Sequence, residues 1–204
     1  MKFRFFLSTL LLFAFAASFA SAKPTKTTVN LKDAIKGETT ASAKYSAYAK
    51  KAREEGFSKI AVLFEAASKS EGIHAANHRA VLEDMGESMA VVKPEFTVKS
   101  TKENLQDAIK GESYEVTTMY PEFLKTASAE KATLASVSMN YAYRTEQRHK
   151  ALYEKALQAL GSKKESSLSG QYLVCPTCGN TYEGNAPARC GICMTGKDRY
   201  ITVK

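Results

Sequence analysis

Hydrophobic side chains recur at steps of three and four residues along most of the chain, which is the pattern of helices that bury one face. A first helix is predicted from about Leu31, and Gly56 interrupts it. A second helix begins near Phe57, and Gly86 is placed to cap its C-terminus. The pattern therefore predicts that the chain opens with a pair of helices.

The same pattern returns in the second half of the chain. It predicts helices over about residues 102–126 and 129–160, the latter followed by Gly161. Pro121 lies inside the third helix, where it should kink the helix or start a new segment. Residues 87–101, which contain Pro94, are long for a connection between neighbouring helices and suit a crossover along a bundle.

The two helix pairs are copies of one unit. The segment NLKDAIKGE at 30–38 returns as NLQDAIKGE at 104–112, an offset of 74 residues. EGIH at 71–74 matches EQRH at 146–149 at an offset of 75. One residue inserted in the second copy explains the change of offset, so residues 30–86 and 104–161 form an internal repeat.

Carboxylates and imidazoles interrupt the apolar helix faces at equivalent places in the two copies. They are Glu38 on the first helix, Glu71 and His74 on the second, Glu112 and Glu115 on the third, and Glu146 and His149 on the fourth. Five buried carboxylates repel one another and lose their hydration unless positive charge lies between them. One Glu from each of two helices and one Glu-x-x-His from each of the others is a known di-metal ligand pattern of ferritin-like bundles. Oxygen-rich ligands with two imidazoles suit iron or manganese.

Three more polar side chains lie on these faces. His78 follows one turn after the second-helix histidine, and its counterpart in the repeat is Tyr153. We expect His78 to be a hydrogen-bond donor behind the ligands, an alternate ligand or a hydrogen-bonded core histidine. Tyr45 and Tyr120 come seven and eight residues after the first glutamates of their helices, where they either bond ligand carboxylates or pack as core aromatics.

All four cysteines lie near the C-terminus, in two C-x-x-C pairs separated by eleven residues. They are Cys175, Cys178, Cys190 and Cys193. This spacing indicates a four-thiolate metal site. Two disulfides are the alternative, because residues 1–22 have the pattern of a secretory signal and exported proteins can form disulfides. Zinc would make the site structural, whereas iron would make it an electron donor to the bundle.

The N-terminal residues 1–22 have the order of a secretory signal: two early cations, an apolar run and the small residues of a cleavage site. The apolar run is short for a membrane anchor, which needs roughly 20 residues. We therefore expect an exported, periplasmic protein without a membrane span after cleavage. The formal net charge of +8 is spread over scattered lysines, so nucleic acid is not an expected partner.

From about residue 30 to the end, the chain resembles the rubrerythrin family. GETTASAKY, SEGIH, GESYEVTTMYPEF and EQRH resemble the four ligand-bearing helices of that family, and CPTCGNTYEG and CGIC resemble its C-terminal module. The resemblance implies an all-α, ferritin-like four-helix bundle with a long crossover over residues 23–161. A linker at 162–170 and a rubredoxin-like Cys₄ module at 171–204 follow.

The resemblance also implies an activity, namely a non-haem di-iron peroxidase that reduces hydrogen peroxide with electrons from iron in the Cys₄ site. The seven bundle residues named above would ligate two irons, Glu71 and Glu146 would bridge them, and Glu115 and His74 would exchange as ligands. The family works as a head-to-tail homodimer, while the electron donor of an exported member is unidentified. Met194 departs from the family's second knuckle, so zinc stays open there. A ferroxidase or iron-handling protein, or an electron-transfer module, are the alternative functions.

Overall fold

A computed structural model describes residues 25–204, so the predicted signal peptide lies outside the described residues. Within them the chain forms five α-helices: α1 (Lys26–Glu54), α2 (Ser58–Asp84), α3 (Thr101–Tyr114), α4 (Tyr120–Ala129) and α5 (Thr133–Gly161). Helix α1 packs along α2, and α3 and α4 together pack against α5. Because α3 and α4 act as one long helix, the predicted four-helix bundle is confirmed. None of the helices in residues 25–204 has the length and apolarity needed to cross a membrane.

The third helix of the bundle contains a π-helical segment, Glu115–Met119, between α3 and α4. A π segment arises when one extra residue is accommodated in a helix. This segment lies between Glu112 and Tyr120, where the repeat offset changes from 74 to 75. Pro121 falls in the first turn of α4, where its missing N–H is tolerated, so it starts a new segment as predicted.

The crossover between the helix pairs, residues 87–100, contains neither helix nor strand. It is fixed to the bundle because Nζ of Lys32 donates to Glu87 at 2.7 Å and the Tyr48 hydroxyl lies 3.2 Å from the carbonyl oxygen of Thr97. It ends in a capping box, in which Ser100 caps α3 and Glu103 bonds back to the Ser100 backbone. The crossover is therefore an ordered strap along the bundle.

Two helix boundaries differ from the sequence pattern. Helix α4 continues to Ala129 and α5 begins only at Thr133, because Lys131 between them takes a left-handed φ of 57°. Gly161 remains helical, and Lys163 with φ 56° ends that helix instead. Gly86 does cap α2, with φ 75°. At both helix ends a lysine, Lys131 or Lys163, takes the left-handed position that glycine usually takes, so the sequence pattern did not reveal these ends.

Two apolar cores lie at opposite ends of the bundle. One contains the packed aromatic rings of Tyr45, Tyr48, Phe64 and Tyr153. The other contains Leu31, Ile35, Leu82, Tyr120 and Met139. In each long helix the carboxylates and imidazoles fall between the residues of the two cores, so they form a polar layer enclosed by apolar walls.

The C-terminal region forms a three-stranded antiparallel sheet of order β2-β1-β3, with β1 Tyr172–Val174, β2 Thr181–Glu183 and β3 Ile201–Val203. Side chains of β1 and β3 join the aromatic core of the bundle, as does Leu168 of the predicted linker. The Cys₄ region is therefore packed on the bundle of its own chain rather than tethered beside it.

Candidate metal centre

Six side chains from four helices meet in the polar layer and form two overlapping groups. The first group is Glu38, Glu71, His74 and Glu146, and the second is Glu71, Glu112, Glu146 and His149. In each group the potential ligand atoms lie within 4.8 Å of one another. All six residues are buried. Because Glu71 and Glu146 belong to both groups, the arrangement describes two adjacent metal positions with two shared carboxylates.

The shared carboxylates face both imidazoles. Nδ1 of His74 lies 2.9 Å from Oε2 of Glu71 and 2.8 Å from Oε1 of Glu146. Nδ1 of His149 lies 3.0 Å from Oε1 of Glu71 and 2.7 Å from Oε2 of Glu146. Each shared glutamate therefore directs one oxygen to either side, which is the arrangement of a bridging carboxylate.

The centre contains buried polar atoms that make no well-aligned hydrogen bond among the described residues, although several lie within 3.0 Å of an oppositely charged group. They are Oε2 of Glu38, Oε1 of Glu71, Oε2 of Glu112, both oxygens of Glu146 and Nδ1 of His149. A buried polar atom without a partner costs roughly 1–3 kcal/mol, and more if it is charged. All of these atoms are metal-ligand types, and a carboxylate and imidazole set without thiolate suits iron or manganese. The residues present therefore fit a pair of iron ions.

The electrostatics of the metal-free centre favour bound protons. Burial raises the pKa of Glu38 to about 7. Burial, then the neighbouring Glu146 and Glu71, raise the pKa of Glu112 well above its usual range. Burial lowers the pKa of His149, but the two shared glutamates outweigh it and bring that pKa to about 10. Divalent cations would replace these protons, so metal binding and proton release are coupled here.

Two tyrosines bond to the outer glutamates, Glu38 and Glu112, each of which belongs to only one ligand group. The Tyr45 hydroxyl donates to Glu112 at 2.8 Å, and the Tyr120 hydroxyl donates to Glu38. Each tyrosine thus comes from one repeat unit and holds the glutamate of the other, which confirms the predicted bonds to ligand carboxylates. His78 belongs to neither ligand group, and its ring instead contacts the Tyr120 hydroxyl at 3.1 Å.

Glu115 lies outside both groups, at the first position of the π-helical segment. It is partly exposed and lines a cavity of about 650 Å³ together with Ala41, Tyr45 and Phe123. Burial of its carboxyl, then the charges of nearby glutamates, raise its pKa well above the usual range. Its role as a ligand remains a prediction. Glu115 thus lies between the cavity, which Asp33 also lines, and the glutamates of the polar layer.

The four cysteines meet in the C-terminal region without disulfides. Sγ of Cys175 lies 3.4 Å from Sγ of Cys193, and Sγ of Cys178 lies 3.5 Å from Sγ of Cys190. A disulfide requires about 2.05 Å, whereas tetrahedral thiolates at about 2.3 Å from a metal lie about 3.8 Å apart. A hydrogen bond from the Cys178 thiol, aided by backbone N–H groups, lowers the pKa of Cys175 to about 4. The geometry favours a metal site over disulfides.

The Cys₄ region contacts both histidines of the bundle. Nε2 of His74 donates to the carbonyl of Cys178 at 3.1 Å. Nε2 of His149 lies 3.0 Å from Oγ1 of Thr181, which itself donates to the carbonyl of Gly179 and must accept from the imidazole. Both rings therefore carry their hydrogen on Nε2 and leave Nδ1 free for a metal. The sequence pattern gave no sign of these contacts, because they join segments about 100 and about 30 residues apart.

Comparison with known proteins agrees with this geometry. The family model described as Rubrerythrin matches residues 29–157. The chain belongs to the rubrerythrin family. Proteins of the rubrerythrin family are di-iron oxidoreductases, and the chain is accordingly an oxidoreductase with a metal-binding bundle.

Individual rubrerythrin relatives match nearly the whole chain. Rubrerythrin-2 of Clostridium acetobutylicum is 34% identical over 88% of this chain and 98% of its own length. Nigerythrin of Nitratidesulfovibrio vulgaris is 35% identical over 91% of this chain and 93% of its own. A fully reduced, all-ferrous nigerythrin structure superposes with a TM-score of 0.79 and 32% identity, covering 99% of this chain and 100% of that one. The rubrerythrin bundle and its Cys₄ region are thus matched together.

Proposed function

We propose that the protein reduces hydrogen peroxide to water and receives the electrons through its Cys₄ site. The observation that carries the proposal is the hydrogen bond from His74 to the carbonyl of Cys178. It joins a ligand of the Cys₄ site to a ligand of the bundle through a few covalent bonds and one hydrogen bond. An iron-storage protein does not need such a link. A peroxide reductase needs one, because its bundle metals must be reduced again after each turnover.

In this proposal the bundle holds two irons and the cysteines hold a third metal. Glu38 and His74 would ligate one bundle iron, Glu112 and His149 the other, and the two shared glutamates would bridge them. The ligands of the third metal would be Cys175, Cys178, Cys190 and Cys193. The visible spectrum separates the two candidates for the third metal, because ferric tetrathiolate is coloured and zinc is colourless.

When bound, two ferrous ions supply the two electrons that, with two protons, convert one hydrogen peroxide into two waters. The protein's part is to admit peroxide and exclude bulk water. The cavity beside Glu115 and Tyr45 would supply the entry, and the two apolar cores would limit the access of water to the polar layer between them. Tyr45 and Tyr120 hold the outer glutamates in place through their hydroxyl hydrogens.

Glu115 is assigned the role of an exchangeable ligand, as the family resemblance implies. His74 lies in a ligand group, and Glu115 lines the cavity beside it. Because an imidazole is neutral and a carboxylate carries −1, replacing His74 by Glu115 would change the charge around one metal position by one unit. Glu115→Ala should slow peroxide turnover by an order of magnitude or more, while both bundle irons remain bound. The surface variant Glu122→Ala is the control, and wild-type turnover by Glu115→Ala would contradict this role.

Location, partner and assembly complete the proposal. We assign the protein to the periplasm after removal of residues 1–22, with an unidentified electron carrier as its donor. The head-to-tail homodimer also remains a proposal. The single chain already brings its own Cys₄ region onto its own bundle, and a dimer that exchanged these regions would form the same contacts between two chains. Light scattering of the purified mature protein measures the assembly.

Oxidation of iron by dioxygen is the second candidate function, because a carboxylate-rich centre beside an open cavity suits it too. Stopped-flow mixing of the reduced, iron-loaded protein with either oxidant separates the two. The proposal predicts that peroxide oxidises the centre at least tenfold faster than dioxygen at equal concentration. Faster oxidation by dioxygen, with iron uptake far above about three per chain, would support the ferroxidase instead.

A further inference from the structure

A line of three hydrogen bonds runs from helix α5 to one outer glutamate. Oγ of Ser138 lies 2.8 Å from Nδ1 of His78. Nε2 of His78 lies 3.1 Å from the Tyr120 hydroxyl, and that hydroxyl bonds to Glu38. All four residues are buried, so water does not compete for these bonds.

Counting hydrogens fixes the direction of the line. A metal-bound Glu38 is a carboxylate and can only accept hydrogen bonds, so the Tyr120 hydroxyl must donate its single hydrogen to Glu38. The oxygen of Tyr120 can then only accept from His78, which places the imidazole hydrogen on Nε2. Nδ1 of His78 is left as an acceptor, and Ser138 donates to it. Burial lowers the pKa of His78, in agreement with a neutral ring.

The other half of the bundle lacks this line. The repeat counterpart of His78 is Tyr153, whose buried hydroxyl has no partner among the described residues. The counterpart of Ser138 is Leu63, which is also buried. Tyr45 therefore donates to Glu112 without a donor behind its own oxygen. Two outer glutamates that the repeat makes equivalent are thus held differently.

We infer that His78 and Ser138 are positioning residues that hold the Tyr120 hydrogen on Glu38 and make the two metal positions unequal. A hydroxyl that accepts a hydrogen bond becomes a stronger donor, so Glu38 is held more firmly than Glu112. Removing a direct hydrogen-bond partner of a ligand typically lowers metal affinity by about 10–100-fold. His78 acts one bond further away, through Tyr120. The inference rests on the metal centre of the proposed function but not on peroxide as its substrate.

The first test is the hydrogen position on His78 in the full mature chain loaded with zinc, a diamagnetic probe. Two-bond nitrogen–hydrogen NMR correlations distinguish the two neutral forms of a histidine from its cation. The inference expects the hydrogen on Nε2 at pH 7. A hydrogen on Nδ1 or a cationic ring would overturn it, and this measurement needs no variant.

The second test compares three variants of the mature chain: His78→Phe, His78→Gln and Tyr153→Phe. Titration with cobalt(II) alone measures the two bundle affinities, while thiolate absorption follows the Cys₄ site separately. His78→Phe should weaken one bundle site several-fold, by less than the about 10–100-fold expected for loss of a direct partner of a ligand, and leave the other within about twofold. His78→Gln keeps an N–H donor and should restore most of the loss, and Tyr153→Phe should match the wild type.

Mössbauer spectra of the same proteins loaded with ferrous iron-57 give a spectroscopic readout. The inference expects His78→Phe to alter one of the two bundle iron signals and Tyr153→Phe to alter neither. Equal weakening of both sites, or no change in either, would overturn it. If His78→Phe does not fold, the NMR measurement on the unaltered chain decides. Loss of peroxide turnover enters none of these readouts, so the inference and the proposed function can fail separately.

Discussion

At the scale of single residues, the shared glutamates explain how two metals can sit so close together. Glu71 precedes His74 by three positions on α2, and Glu146 precedes His149 by three on α5. Side chains three apart lie on one helix face, so each helix brings a carboxylate and an imidazole to the same point. The two helices cross there, and each carboxylate reaches the imidazole of the other helix as well as its own.

Gly179 lies where the Cys₄ region meets helix α2, next to His74 and Ser70. A Cβ added there would clash with Nε2 of His74 and lie 2.7 Å from Oγ of Ser70, and the φ of +78° disfavours any side chain. Gly179→Ala should therefore destabilise the protein by about 2 kcal/mol or more. Chemical denaturation measures this, and the rate of electron transfer from the Cys₄ site to the bundle should fall in parallel.

Gly184→Ala is the matched control for that change. Gly184 also has a positive φ, +68°, but an added Cβ would meet only Oγ of Ser169 at 3.8 Å. It should show the backbone cost alone, about 1–2 kcal/mol, with electron transfer unchanged. If both variants behave alike, the contact between Gly179 and His74 is not what holds the two parts together.

That six of the seven predicted ligand residues meet in one layer could be foreseen from the sequence because helix spacing is local. The partners of the imidazoles could not be. The Cys178 carbonyl is a backbone group that leaves no signature, and Thr181 is one hydroxyl among many until the sheet places it beside His149. Met194 shows the same limit. It follows the second C-x-x-C pair as Gly179 follows the first, and it takes a left-handed φ of 64° that a methionine in the sequence does not predict.

At the scale of elements, the π-helical segment is where the symmetry of the repeat ends. The repeat offset predicted one inserted residue but not the form that it takes, because an insertion can also be absorbed in a turn. The structure absorbs it within a helix, so Glu112 and Tyr120 both still reach the centre although they are one position further apart than Glu38 and Tyr45. The extra residue leaves Glu115 at the cavity.

Deletion of Thr117 tests this view of the segment. Thr117 is exposed within the segment, and its removal should turn the π segment into regular α-helix while Tyr120 keeps its bond to Glu38. We expect circular dichroism and the binding of two bundle metals to stay close to the wild type, and peroxide turnover to fall about as far as in Glu115→Ala. Loss of the fold or of both metals would show that the extra residue is needed for packing instead.

At the scale of the whole molecule, two apolar cores enclose a polar layer that holds protons until metals replace them. The fold class could be predicted from periodicity and the repeat. The packing of the sheet on the aromatic core could not, because Tyr172 and Val174 look like ordinary strand residues in the sequence. Their burial on the bundle is a long-range outcome of the fold, and it brings the Cys₄ site to the imidazoles.

The protons of the polar layer make the effect of metal removal depend on pH. Glu38 titrates near pH 7 in the metal-free fold and near its ordinary 4.5 when unfolded, so the stability that it contributes is lost as pH rises between these values. His149 titrates near 10 instead of 6.5, and its contribution declines above 6.5. The chelator-treated protein should therefore melt at a lower temperature at pH 8 than at pH 5.

Metal loading should cancel that decline, because cations take the place of the protons. The difference in melting temperature between loaded and chelator-treated protein is thus expected to grow from pH 5 to pH 8. The pKa of Glu71, lowered to about 2 by the two histidines despite its burial, adds no change in this window, since its contribution is lost only below about 4.5. A difference that is independent of pH would contradict the coupling.

The central claim is that the bundle holds two metals that share Glu71 and Glu146, next to a third metal in the Cys₄ site. The most direct measurement is anomalous diffraction from crystals of the iron-loaded mature protein, recorded on both sides of the iron absorption edge. The account predicts two peaks in the polar layer, each within ligand distance of both shared glutamates, and a third between the cysteines. A single peak in the layer, or two peaks that share neither glutamate, would contradict it.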